Sequence, residues 1–209
     1  MPTPAEQFTT ALISYAPKFG IDLSHEQAAL LQRYYALVMH WNPRLHLVAP
    51  CSPEEFATRH VLESLLLTKH LPQDATVIDV GPGAGLPIIP CLLVRPDLRA
   101  VLIESSQKKA VFLREALRLI SHPQRAQLKL GRFEEMAAPA ADFVTCRALD
   151  RFGDLLPAML AWPQPGTTFL LYVGPELKEL IENRLSGVKA ELIPLSERRY
   201  LICGRNLNK

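Results

Sequence analysis

Three glycines spaced two apart, Gly81-Pro82-Gly83-Ala84-Gly85, follow a short apolar run that ends in Asp79-Val80. Glycine permits positive φ and close backbone approach to a ligand, and a glycine loop between a strand and a helix puts ligand and backbone N–H groups together. The dinucleotide fingerprint reads Gly-x-Gly-x-x-Gly, and position 86 is Leu, so that fingerprint is not met. A shortened loop with an acid just before it suits a nucleoside bearing an amino acid better than a pyrophosphate. Glu104 closes the next apolar run, 19 residues past Gly85, where a carboxylate can accept hydrogen bonds from ribose hydroxyls. Phe133 and Glu134, after Gly131-Arg132, pair an apolar ring with a carboxylate; they could hold an adenine or simply begin a helix. Arg147 ends a further apolar run and would face a reaction cleft at the end of a central strand.

Other candidates carry less chemistry. His60 stands alone on an amphipathic stretch, where a structural hydrogen bond is the usual role. Lys108, Lys109, Arg114 and Arg118 mark a largely solvated helix face. No His-Asp or Cys-His set suggests acid–base or nucleophilic catalysis, and no Cys/His cluster has metal spacing, so no metal is expected.

The elements that position these residues follow from pattern. Residues 1–72 read as a helical extension. Leu30, Tyr34, Leu37, Val38 and Trp41 share one helix face, and Asn42-Pro43 is expected to stop that helix. A second helix starts at Pro53, with Ser52 and Glu55 in a capping-box arrangement, and ends at Leu71-Pro72. From residue 73 the pattern alternates. Strands are expected over 75–80, 99–104, 126–130, 141–146 and 167–173, and helices over 87–94, 107–120, 150–160 and 176–185. Two final extended runs, 188–195 and 198–203, look like a hairpin that adds one antiparallel strand. The sum is one α/β domain over 1–209: a Rossmann-like core at 73–209 behind the extension.

The 209 residues suffice for such a core, and 21% charged with 48% hydrophobic residues is ordinary for a globular protein. A net charge of +2 is too small to argue for nucleic acid by itself. The opening residues lack a leader pattern, and no apolar run is long enough to span a membrane, so a cytoplasmic protein is expected; no long exposed apolar helix face demands a partner, so a monomer is expected. The four cysteines are scattered and read as reduced thiols.

The chain resembles the ribosomal RNA small-subunit methyltransferase G family, also known as glucose-inhibited division protein B. The likeness rests on Trp41-Asn42 with Leu45-His46-Leu47, on Arg59-His60-Val61-Leu62-Glu63-Ser64-Leu65, and on Asp79 to Pro87. It continues through Glu104-Ser105, Lys108, Phe112-Leu113, Gly131 to Glu135, and Arg147-Ala148. The resemblance implies a class I fold with a mostly parallel seven-stranded sheet, S-adenosylmethionine as cofactor, and methylation at N7 of a guanine in 16S ribosomal RNA of the small subunit. It also implies cofactor contacts from Gly81, Leu86, Phe133, Glu134 and Arg147; Gly83, Gly85 and Glu104 come from the spacing alone. The chain departs from the family pattern at Pro82, where Thr is usual, at Ile88, where Gly is usual and bulk would be added beside the loop, and at Val173-Gly174, where Lys-Gly is common.

Guanine N7 has a free lone pair and needs no base to make it nucleophilic, so catalysis can be positioning plus electrostatics. Arg147 would shape the pocket, and Ala in its place is expected to lower turnover without unfolding the chain. His60 would brace the extension against the cleft or touch RNA. A nicotinamide oxidoreductase, a methyltransferase with another acceptor and a cofactor-binding protein without transfer remain alternatives.

Overall fold

The structure, a computed structural model, describes residues 1–147 and 152–206. Ala148, the last residue of the family resemblance, and the helix start expected at Asp150 lie outside the described residues.

Seven strands form one sheet in the order β3-β2-β1-β4-β5-β7-β6: β1 (Thr76–Val80), β2 (Arg99–Glu104), β3 (Ala126–Leu130), β4 (Phe143–Arg147), β5 (Thr168–Val173), β6 (Leu185–Leu192) and β7 (Tyr200–Asn206). The first five pair in parallel; β7 runs antiparallel to both β5 and β6, in line with the expected terminal hairpin. The hairpin begins at Leu185, ahead of its apolar run. Leu185 already packs into the core, and a bulge between Ser186 and Lys189, with Gly187 at φ 59°, absorbs the mismatch.

Period-2 alternation divides the sheet's side chains between two layers. Val77, Ala100, Leu102, Leu170 and Tyr172 face α5 (Ile88–Val94), α6 (Gln107–Ala116) and the N-terminal helices. Ile78, Val80, Ile103, Phe169 and Leu171 face α7 (Phe152–Ala161) and α8 (Pro175–Glu182). Cys91 and Cys146 are buried in these layers.

The extension comprises α1 (Pro4–Tyr15), α2 (His25–Leu45) and an unbroken helical stretch from Pro53 to Lys69. That stretch is not one α-helix. Short α turns, α3 (Pro53–Glu55) and α4 (Glu63–Leu65), flank a π-helical segment over Phe56–Leu62, and a 3-10 turn follows. Ser52 caps it by accepting the Glu55 N–H, but Glu55 turns to Arg59 and completes no capping box. Pro43 does not stop α2. It sits in the last turn, and the helix ends two residues later, with His46 in the left-handed region. Asn42 grips both the N–H and the carbonyl of Val48 and directs the exit. The buried face of α2 centres on Leu31, Tyr34, Tyr35 and Val38, so Leu30, Leu37 and Trp41 lie at its margins.

At the edge of the core away from the strand ends, Arg95 ties the extension down. Its guanidinium donates to the carbonyls of Thr68, Leu71 and Pro72 and pairs with Asp97. That pairing holds the Asp97 carboxyl down at about 2. Arg95→Ala leaves three carbonyls without their donor and should cost about 2 kcal/mol in urea unfolding; an unchanged midpoint would show that water replaces the guanidinium.

Candidate active site

The strand order reverses between β1 and β4, so the crevice beyond their carboxyl ends is where an open α/β sheet binds ligands. Val80 registers with Cys146, and Gly81 and Arg147 therefore leave the sheet side by side.

The glycine loop is a tight coil whose Pro82 carbonyl accepts the N–H groups of Gly85 and Leu86. Gly81 and Gly83 lie at φ 68° and 55°, a region that favours glycine. The nearest neighbour of a methyl on Gly83 would be 4.0 Å away, which leaves open space beside the loop. Gly85 serves packing instead. A Cβ there would meet Ile89 at 2.4 Å, so this glycine lets α5 pack against the loop. Tyr34, fully buried on α2, donates its hydroxyl to the Ala84 carbonyl at 2.7 Å and fixes the loop from the extension.

Two acids stand behind the loop. Asp79 is wholly buried; one oxygen accepts the Ile88 N–H at 3.3 Å, the other has no partner among the described residues, and burial pushes its carboxyl well above the usual range. The Ile88 side chain goes into the core, so the bulk expected beside the loop does not reach the cavity. Glu104 accepts from the Gly83 N–H at 3.1 Å and from the Ser106 N–H at 2.8 Å. A carboxylate has about four acceptor sites, so capacity remains for ribose hydroxyls.

Arg147 reaches across to the extension. It donates to the carbonyls of Arg59 and His60, to the Ser64 hydroxyl, and to Glu63 at 3.1 Å. The Glu63 side chain is only 2% exposed and holds Arg199, from the β6–β7 connection, on its other oxygen. Burial pushes the Glu63 carboxyl up, against the pull of the two guanidinium groups. Tyr172, beside Arg147 on β5, sets its ring 5.4 Å from the guanidinium and donates its hydroxyl to the Glu63 carbonyl. Arg147→Ala would remove one of the two guanidinium groups on the buried Glu63, leaving Arg199 as its partner, and should cost about 2–3 kcal/mol. The expectation that this variant lowers turnover without unfolding the chain is therefore joined by an expected loss of stability.

These groups enclose a cavity of about 580 Å³. Gly81, Pro82, Gly83 and Leu86 line it on the loop side, Arg147, Tyr172 and Val173 at the strand ends, and His60 and Glu63 on the extension. Lys109 also lines it, a correction for a residue assigned to a solvated face. Gly85, Glu104, Phe133 and Glu134 are not on its lining, nor is the buried Asp79; Glu104 touches the lining residue Gly83. Phe133 is buried edge-on to Trp162, ring centres 5.5 Å apart, and Glu134 is exposed. They remain close in chain to Gly131, whose N–H bonds the Glu104 carbonyl. Sequence reasoning placed Glu63 in a motif without a role, and missed Arg199 and the Tyr172 hydroxyl. An acid inside the run Val61-Leu62-Glu63-Ser64-Leu65 was the one available signal. No group of three or more His, Cys, Asp or Glu among the described residues could hold a metal ion.

Residues 27–196 match the model of the family rRNA small subunit methyltransferase G. The chain belongs to this family. It is 40% identical over 148 residues to the ribosomal RNA small subunit methyltransferase G of Xanthomonas axonopodis pv. citri, which covers 70% of this chain and 69% of that relative. A relative of the same name from Thermoanaerobacter sp. is 32% identical over 185 residues, 85% of this chain and 77% of the relative. Among solved structures, the RNA methyltransferase of Salinibacter ruber, in complex with S-adenosyl-L-homocysteine, superposes with a TM-score of 0.54 at 17% identity, covering 78% of this chain and 95% of that one. The O-methyltransferase of Bacillus cereus gives 0.58 at 18%, covering 96% and 99%. At those identities the likeness is one of fold. Arg59 and His60 lie on the π-helical segment and line the cavity.

His60 within that wall is held neutral. Burial first, then Arg147, Arg59 and Arg199, bring its imidazole down to about 3. Unfolded, it titrates near 6.5, so between those values the unfolded chain takes up the extra proton and acid works against the fold. The melting temperature of the wild type should fall relative to that of His60→Gln between about pH 7 and about pH 5. A gap that stays constant across that window would mean the imidazole is not shielded.

Proposed function

We propose that this protein transfers the methyl group of S-adenosylmethionine to N7 of a guanine in 16S ribosomal RNA, acting in the cytoplasm as a monomer. What carries the proposal is one cavity, in a member of this family, where the glycine loop meets Arg147 and the Arg-His wall. Among the described residues no helix is long and apolar enough to cross a membrane.

When bound, the cofactor supplies a sulfonium methyl. The residues present fit it: the space open at Gly83, the spare acceptor capacity of Glu104 and the unpartnered oxygen of Asp79 suit a nucleoside with an ammonium-bearing tail. Gly81 and Leu86, on the cavity lining, would take the tail. Arg147 would set the depth of the guanine beside them, since it is fixed at four acceptors and cannot drift. No side chain needs to move a proton before transfer, and the neutral His60 agrees with that. Rate would come from holding N7 in line at near-attack distance.

The deciding assay is methyl transfer from labelled S-adenosylmethionine to unmethylated small ribosomal subunits, with the modified base identified. A single N7-methylguanine is expected. Cofactor binding without transfer, or a different methylated base, would overturn the assignment. Arg147→Lys keeps the charge but not the fork, and should lower turnover about 100-fold, the scale of a 1 Å misplacement. Tyr34→Phe removes one hydrogen bond to the cofactor loop and should weaken cofactor binding about fivefold; unchanged affinity would show the loop holds its shape alone.

A further inference from the structure

The cavity does not end at Glu63. Arg59, Glu63 and Arg199 are shared with a second recess of about 320 Å³, between the π-helical segment and the β6–β7 connection. Thr58, Pro194 and Leu195 complete much of its wall. The two cations on its lining are only partly used within the protein. Arg199 gives one terminal nitrogen to Glu63, its Nε is buried without a partner among the described residues, and its side chain is 34% exposed. Among the described residues the Arg59 side chain pairs only with Glu55, one turn away, and is 51% exposed. Glu63 is the one acid on the recess lining among those residues, and it is already engaged by Arg147 and Arg199. Ser196 accepts the N–H groups of Arg198 and Arg199 and so fixes the turn that presents Arg199.

A recess with two guanidinium groups on its lining and an acid already neutralised is an anion site. A base that enters the main cavity stays tied to its sugar-phosphate chain, and backbone phosphates are what arginine forks hold best. We infer that the recess seats a phosphodiester of the RNA strand next to the methyl-accepting nucleotide, gripped by Arg199 and Arg59. This rests on RNA being the substrate, as proposed above. Arg199 then has two duties: it helps keep Glu63 paired, and it fixes which stretch of backbone lies at the rim.

The test is binding of a fluorescein-labelled single-stranded RNA oligonucleotide to the full chain across a salt series, followed by anisotropy. Arg199→Gln and Arg59→Gln should each weaken binding about fivefold to tenfold and each flatten the slope of log affinity against log salt by about 0.7, one phosphate contact on a single strand. Arg199→Lys should keep the slope. A purely structural role for Arg199 would lower the melting temperature and leave the slope unmoved. Should Arg199→Gln fold poorly, the exposed Arg59→Gln decides. Unchanged slopes in the Gln variants, or a wild type that binds no RNA, overturn the inference. Shifted slopes without any N7-methylguanine from the small-subunit assay would instead retire the methyl-transfer proposal and leave the recess standing.

Discussion

Everything in the cleft depends on a carboxylate that has been taken out of water. Glu63 sits in an apolar helical run with almost no exposure, a position that is costly for a lone charge. Arg147 makes it tolerable, because one guanidinium meets Glu63, two main-chain carbonyls and a hydroxyl at once. A lysine could not satisfy that set with its point charge. The pair spans 84 positions of sequence and joins the end of a central strand to the helical extension. Tyr172 repeats the join from the neighbouring strand.

From this follows the electrostatic character of the site. Three arginines gather near one buried acid, and the imidazole among them cannot take a proton at neutral pH. Such a wall is poor at acid–base work and good at attracting phosphate and fixing a planar base. Lys109, across the cavity on α6, adds to the same sign. The modest net charge of the chain conceals this, because concentration rather than total charge sets the local field.

The strands are legible in the sequence because each of those at the cleft is a short apolar run that ends at a Gly, Glu or Arg, and those ends are where the sheet must bind ligands. Gly81, Gly83, Glu104 and Arg147 emerge that way. Gly85 emerges for the same reason, yet its hydrogen makes room for Ile89. Phe133 could have gone to ligand or to core, and Trp162, distant in sequence, draws it into the core. The pairing of Glu63 is hidden because its partners lie far along the chain. Pro43 misleads because it falls within the last turn, and the helix continues past it to Leu45.

The π-helical segment holds one more consequence. An α-helix advances about 100° per residue, whereas a π turn accommodates one residue more in each loop of hydrogen bonding. Phe56, packed on Phe8 and Tyr35, and Glu63, paired to the sheet, therefore keep their relative direction with an extra residue between them. Shortening Phe56–Leu62 by one position would let the segment relax to an ordinary helix. Six α-helical steps turn through about as much as seven π-helical ones, so the aromatic anchor and the acid would keep their relative direction while the residues between them lost their places on the wall. In this region the length of the chain, and not only its chemistry, is part of the site.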